Sequence, residues 1–291
     1  MVIELANGGD GYIPPPEQHL LGGYNTWPAR SAGLEIQAEP IIVETGLRLL
    51  EKVAGQRRRR FRQTQGTAVK ALLAASPVAY WRLDEFAGPC AIDLSGKNCD
   101  AIYEPPVAFF LEGPDSEKFC AGSEVNRSAH FAGGRLRARV PDLKDQYSVA
   151  IWFYNGMPVD GRPITGGLFS RGSDHGFHAH GDHLGLGGTL GHAGKLVLPG
   201  RSRPEDSGSD QATLLGGQTE VERWTWNHIA FVRDGTDVRV YLNGNPQPEI
   251  ETVSPSDAHS DWDLLFFGGR SDGDSTCLLY TSPSPRDGLL S

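Results

Sequence analysis

The sequence predicts a mainly β protein, an antiparallel sandwich preceded by a small α/β segment. Three observations carry this. From Pro77 to about residue 270 the apolar residues recur with a period of two, as in strands that bury one face. Turn dipeptides such as Asp234-Gly235 and Asn243-Gly244 separate these runs. With 37 Gly and 20 Pro in 291 residues, the chain is built for many turns and few long helices. That length allows roughly two domains, and 38% hydrophobic with 22% charged residues is a globular composition.

In chain order, Val2 to Ala6 reads as a strand running into a glycine-rich turn. A helix follows, with Pro40 suited to its first turn, Val43, Leu47, Leu50 and Ala54 on one stripe, and Gly55 as its stop. Gln56 to Arg62 is a basic run, either a phosphate or anionic-surface patch or a solvated linker. It has no partner patch elsewhere in the sequence, which fits the linker better. Thr67 to Ala75 reads as a short Ala/Leu helix, and Ser76-Pro77 as a boundary. Beyond it, Tyr147 to Phe153 sets Val149, Ile151 and Phe153 on one face and Ser148, Ala150 and Trp152 on the other. The clearest hairpin joins Trp226–Arg233 to Asp237–Leu242 through Asp234-Gly235.

Charge divides unevenly. Residues 1–76 hold 9 Lys/Arg against 7 Asp/Glu, a net of +2, and the remainder 18 against 29, a net of −11. The acidic part is a poor polyanion binder, so nucleic acid is not an expected partner. No run approaches the ~18 to 20 apolar residues of a membrane helix. Cys90 and Cys99 bracket a short loop and would pair if the protein is exported, with Cys120 left free; three free thiols are the alternative.

Three residue sets carry candidate chemistry. Asp84, Glu85, Asp93 and Asp100 offer hard oxygen ligands for calcium, or simply form turns and surface charge, since they lack the spacing of a calcium loop. His175, His178, His180 and His183, with His192 beyond, have spacings from which a curled loop would hold a transition metal adventitiously. Interspersed glycines, among them Gly176, Gly181 and Gly187, favour a polar Gly/His loop instead. Trp81, Trp152, Trp224 and Trp226 offer indole faces for sugar stacking, or core packing; Trp224, in a strand-edge loop, is the one expected to be exposed. Asn126-Arg-Ser128 matches a glycosylation acceptor, a triplet common by chance.

Pro77-Val-Ala-Tyr-Trp-Arg-Leu-Asp-Glu85, Asp93-Leu-Ser-Gly96, Ala129-His-Phe-Ala-Gly-Gly134, Ser148-Val-Ala-Ile-Trp152, Leu168-Phe-Ser170 and Trp226-Asn-His-Ile-Ala-Phe231 with Val240-Tyr-Leu-Asn-Gly244 resemble, in order, the laminin-G-like branch of concanavalin A-like jelly rolls. The resemblance covers about residues 77–270. It implies a jelly roll over 77–276, with Trp81 and Trp152 in the core and a closing strand missing, hence an aggregation-prone piece. Related jelly rolls bind sugars, proteins or calcium, or only space their neighbours. Two functions stay open: a module for a glycan or cell-surface ligand, or a structural and protein-interaction module. A glycanase would need paired carboxylates, and no Glu-x-Asp-x-x-Glu pattern is present.

Leu5-Ala-Asn-Gly-Gly-Asp-Gly-Tyr12-Ile-Pro-Pro-Pro-Glu-Gln-His19 and Gly22-Gly-Tyr24-Asn-Thr-Trp-Pro28 resemble the end of the catalytic domain of neutral, non-lysosomal ceramidases, over about residues 1–55. In that family a zinc held by two His, one Glu and one Tyr activates water for amide cleavage. By motif position Tyr12 is the zinc-ligand tyrosine and Tyr24 the catalytic one, which steadies the oxyanion. The His, His and Glu ligands are not in this sequence, so no catalysis is expected of it. The resemblance implies an exported parent hydrolase, extracellular or periplasmic, with residues 56–76 as basic linker and short helix. Cys277-Leu-Leu-Tyr-Thr-Ser-Pro-Ser-Pro-Arg-Asp287 is similar to translated sequencing adapter, so residues 277–291 read as a non-native tail of an assembled fragment.

Overall fold

The computed structural model describes residues 11–14, 33–34, 38–56, 62–172, 181–199, 214–254 and 263–269. Helix α1 (Ala38–Ala54) has Pro40 in its first turn and stops at Gly55, whose φ of 65° suits glycine. Its apolar stripe forms as expected, yet Val43 and Leu50 stay exposed. Helix α2 (Thr67–Ala74) ends one residue before the expected limit and buries Val69 completely.

The sandwich begins earlier than Ser76-Pro77 implies. Gln63 Nε2 donates to the Val125 carbonyl at 2.7 Å, and its Oε1 accepts from Arg127 N at 2.8 Å. Gly66 N donates to the Phe119 carbonyl at 2.9 Å, and a Cβ on Gly66 would run into the Lys118 carbonyl, so only glycine fits. Residues 62–76 are therefore part of the module rather than linker. These bonds span some sixty residues of sequence, and no local signal announces them.

Strands β1 (Cys90–Ala91), β2 (Ala101–Glu104) and β3 (Val107–Glu112) precede the short helix α3 (Ser116–Phe119). Then come β4 (Arg127–Phe131), β5 (Arg135–Arg139), β6 (Gln146–Tyr154), β7 (Ile164–Gly172) and β8 (Gly181–Gly188). The series continues with β9 (Gly191–Pro199), β10 (Leu214–Glu220), β11 (Trp226–Asp234), β12 (Asp237–Leu242), β13 (Ile250–Val253) and β14 (Leu264–Phe267). One eight-stranded sheet has the order β1-β2-β5-β14-β7-β8-β9-β10, a second the order β13-β12-β11-β6, and β3-β4 form a ribbon. Every pairing is antiparallel, as the turn-separated pattern predicts. The predicted hairpin is β11–β12: Asp234 pairs with Asp237, and Gly235 takes the positive φ, 62°, of the turn.

Between the two larger sheets lies one apolar core. Leu136, Phe169, Leu184, Leu196 and Leu265 from the larger sheet meet Ile229, Phe231, Val238 and Val240 from the smaller. Phe169 and Phe231 close the gap at 5.5 Å between ring centroids. At one end a buried polar network replaces hydrocarbon. Asp182 on β8 accepts from Arg233 Nε at 2.8 Å and from Arg233 Nη2 and the Tyr147 hydroxyl, both on the opposite sheet. Arg233 Nη1 donates to the carbonyls of Gly235 and Ser254 at 2.8 and 2.9 Å. Arg171, 1% exposed, lies 4.4 Å over the Tyr147 ring and donates to the carbonyls of Leu143 and Lys144. Each buried charge is thus met by partners, the condition for tolerating it. Burial, with the Asp182 carboxylate second, pushes the Tyr147 hydroxyl pKa far up, so it stays a donor.

Candidate functional site

The outer face of the smaller sheet carries the feature that the core does not explain. Along β6, Val149, Ile151 and Phe153 pack on the core, so Ser148, Ala150, Trp152 and Tyr154 point outward. Register sets Trp226 opposite Tyr154 and His228 opposite Trp152. Trp152 and His228 lie 5.0 Å apart between centroids, and Tyr154 meets Trp226 edge-on at 5.7 Å. Trp152 and Tyr154 remain 42% and 50% exposed. Burial lowers the His228 pKa, which keeps that ring neutral near pH 7.

Trp224 extends the row. It is 66% exposed and its ring lies over Gly156, where a Cβ would stand 3.5 Å from the indole. Its φ of 61° places a bulky residue in the left-handed region, a strain of roughly 1–3 kcal/mol. Two buried asparagines hold the loop in that shape. Asn155 accepts from Trp224 N through its carbonyl at 2.7 Å, and its side-chain amide donates to the Val221 carbonyl at 3.1 Å. Asn227, with no exposed surface, donates to the Glu222 carbonyl at 2.9 Å. From Trp152 to Gly156 the row runs about 13 Å along the strand. Such a strip presents π faces to the C–H side of a sugar ring while leaving sugar hydroxyls in water.

The family-based placement of Trp152 in the core is corrected here: strand alternation turns it outward, where it meets His228 at 5.0 Å and Phe119, edge-on, at 6.0 Å and stays 42% exposed. Trp81 does pack against the core, with Nε1 donating to the Cys99 carbonyl at 2.8 Å. Trp224 is exposed, as its loop position predicts. Tyr154 and His228 are the members that sequence reasoning missed. The same alternation that read Trp152 outward, continued by one pair and across the hairpin, finds them.

The acidic set folds into structural work. Asp93 accepts from Tyr80 N, Ser95 N, the Ser95 hydroxyl and Cys99 N, at 2.7–3.1 Å. Burial alone would raise its pKa, but these donors lower it. Asp100 accepts from Asp93 N at 2.9 Å. Glu85 accepts from Ile92 N at 2.8 Å and the Tyr103 hydroxyl at 2.7 Å, and Asp84 lies 3.6 Å from Arg82 Nε. Burial raises the pKa of both Asp84 and Glu85. The two carboxylates line a small crevice with Arg62 and Gln63, and Asp93 does not join them there. Among the described residues no three His, Cys, Asp or Glu side chains are grouped to hold a metal ion.

His183 sits within β8, 6% exposed, so its surroundings are strand rather than loop. The glycines there serve close backbone approach, since a Cβ on Gly187 would meet the His192 carbonyl. His175, His178, His180 and Tyr24 lie outside the described residues, as do residues 277–291. Tyr12 is described and 45% exposed. Cys90, Cys99 and Cys120 are all unbridged. Asn126 is 4% exposed and its amide donates to the Pro114 carbonyl at 2.7 Å, so the triplet is no glycan acceptor in the folded chain. Among the described residues no helix is long and apolar enough to cross a membrane.

A laminin-G-type family model, described as the concanavalin A-like lectin/glucanases superfamily, matches residues 132–278. No curated protein matches the chain. Among solved structures, domain 4 of an extracellular arabinanase from Geobacillus stearothermophilus, in complex with arabinotriose, is 16% identical, covers 75% of this chain and 89% of its own, and has a TM-score of 0.45. The IT-sialidase CBM40 of Ruminococcus gnavus is 16% identical, with 47% and 69% covered and a TM-score of 0.30. Domains LG4-5 of the mouse laminin alpha1 chain are 14% identical, with 50% and 36% covered and a TM-score of 0.33.

Proposed function

Because the chain belongs to the concanavalin A-like lectin/glucanases superfamily, we propose that its sandwich is a non-catalytic glycan-binding module whose contact surface is the strip of Trp152, Tyr154, Trp226, His228 and Trp224. The observation that carries this is Trp224, held exposed in a strained backbone conformation by two buried asparagines. A fold that needed only stability would gain by relaxing it. The strip's length suits a stretch of chain rather than a single terminal sugar. Such a ligand belongs to a cell surface or an extracellular matrix, so the site of action we propose is outside the cell.

Affinity gel electrophoresis against a panel of soluble polysaccharides tests this. Retardation of the wild-type chain by at least one polymer, lost in Trp224→Ala, is the expected result. No retardation by any polymer, together with stable capture of a protein partner, would favour the structural and protein-interaction reading.

The zinc amidohydrolase parent implied for residues 1–55 is a separate proposal about a longer protein. Its support is the motif around Tyr12 and Tyr24. Tyr12 by itself does not fit a zinc site, because one phenol supplies a single donor and zinc takes three or four protein ligands. Metal analysis of a longer chain carrying His, His and Glu upstream tests it: one bound zinc per chain is expected, and none would end it.

A further inference from the structure

Arg223 adjoins the strip and does nothing for the fold that its contacts reveal. Its guanidinium carbon lies 5.0 Å over the Trp224 ring. Its Nε is buried without a hydrogen-bond partner, and among the described residues no carboxylate pairs with it. Most other arginines of the sandwich behave differently; Arg127 and Arg171, which also lie over aromatic rings, donate to backbone carbonyls. Arg82, Arg135, Arg137, Arg139, Arg233 and Arg239 each lie within ion-pair distance of an Asp or Glu. Glu222, its sequence neighbour, is exposed and makes no ion pair with it. Asn155, whose carbonyl accepts from Trp224 N, also has its Oδ1 buried and unpaired. Buried polar atoms without partners are rare enough that each calls for a reason.

We infer that Arg223 reads an anionic substituent on the bound glycan, a carboxylate on a sugar whose neighbours stack on Trp224 and Tyr154. This rests on the glycan-binding reading and narrows it. A guanidinium is planar, permanently charged and weakly hydrated, so it pairs with a carboxylate while its flat face stays on the indole. The net charge of −11 over residues 77–291 limits how much anion the surface accepts. The ligand is therefore a sparsely charged polysaccharide, with neutral units between its carboxylates, and not a polyanion.

The test compares a glucuronoxylan with the same polymer after carboxyl reduction, which leaves the backbone and removes the charge. Affinities are read by isothermal titration at low salt for wild type, Arg223→Gln and Arg223→Lys. Wild type should prefer the acidic form by about tenfold, the scale of one charge-assisted hydrogen bond. Arg223→Gln should bind both forms equally, and Arg223→Lys should keep part of the preference. Added salt should shrink the preference in wild type. Equal wild-type affinity for the two forms, or a preference that survives Arg223→Gln, overturns the role of Arg223 and leaves the stacking strip standing. If wild type binds neither form but is retarded by some other neutral polysaccharide, the inference again fails alone. If it binds no polysaccharide at all, both readings fail.

Discussion

Strands β6 and β11 bear alternating residues that face two different environments. On the inner side, Tyr147, Ile151, Phe153, Ile229, Phe231 and Arg233 fit a core in which apolar groups interlock and each charge has partners. On the outer side, Trp152, Tyr154, Trp226 and His228 make aromatic pairs that leave large surfaces exposed. One residue along the chain separates a satisfied group from an unsatisfied one. The inner face accounts for the fold; the outer face costs solvent-exposed aromatic surface and, at Trp224, backbone strain, and gains nothing in folding that would offset it. The glycan proposed to stack on those rings would account for the asymmetry.

The largest expected effect breaks the inner face. Asp182→Ala removes the carboxylate that Arg233 and Tyr147 share and strands a buried guanidinium, which should cost about 3–5 kcal/mol. Denaturant unfolding checks this, and a loss under about 1 kcal/mol would mean that water reaches the network.

Next comes the acidic turn, where carboxylates look like ligands but act as anchors. Asp93→Ala leaves the N–H groups of Tyr80, Ser95 and Cys99 without their acceptor and should cost about 1–3 kcal/mol at pH 7. The sign with pH follows from its lowered pKa. The folded state holds the ionised form, so the contribution is complete above the ordinary aspartate value of about 3.9 and is lost as pH falls through the lower folded value. Glu249, whose pKa is lowered by donors from Thr219 and Gln218 against the opposing effect of burial, adds in the same direction. Asp84 and Glu85 act oppositely: their raised values favour the protonated folded form, so acidification from their folded down to their unfolded values adds stability, which is then kept at lower pH. Melting curves between pH 7 and 3 should therefore fall most steeply at the acid end. Asp93→Ala should flatten that fall.

The smallest effect on stability belongs to the outer face. Tyr154→Ala should change unfolding by no more than about 0.5 kcal/mol, in contrast to about 3–5 kcal/mol for Phe231→Ala one strand away and facing inward. Chemical denaturation of the pair measures the contrast directly.

Much of this was legible in the sequence. The period of two in Tyr147–Phe153 and the Asp-Gly turn after Arg233 located β6, β11 and β12 and assigned the faces of β6, because alternation and positive-φ turns are local properties. The same alternation set Trp152 outward where the resemblance placed it inside. What was not legible depends on distant partners. Gln63 and Gly66 read as linker until their bonds to Val125, Arg127 and Phe119 join them to the sandwich. Asp93 stayed open between calcium ligand and turn former because a carboxylate's donors, here backbone N–H groups, leave no mark in composition. Arg223 had no signature at all, since its distinction is a buried Nε without a hydrogen-bond partner.

The most direct measurement is isothermal titration of a retarding polysaccharide into wild type and the Tyr154→Ala/Trp224→Ala double variant, with a melting curve for each. At least a tenfold loss of affinity is expected, on the order of one stacking contact or more, with the melting temperature kept. Undiminished affinity in a folded double variant would contradict the account and move the binding surface off this face.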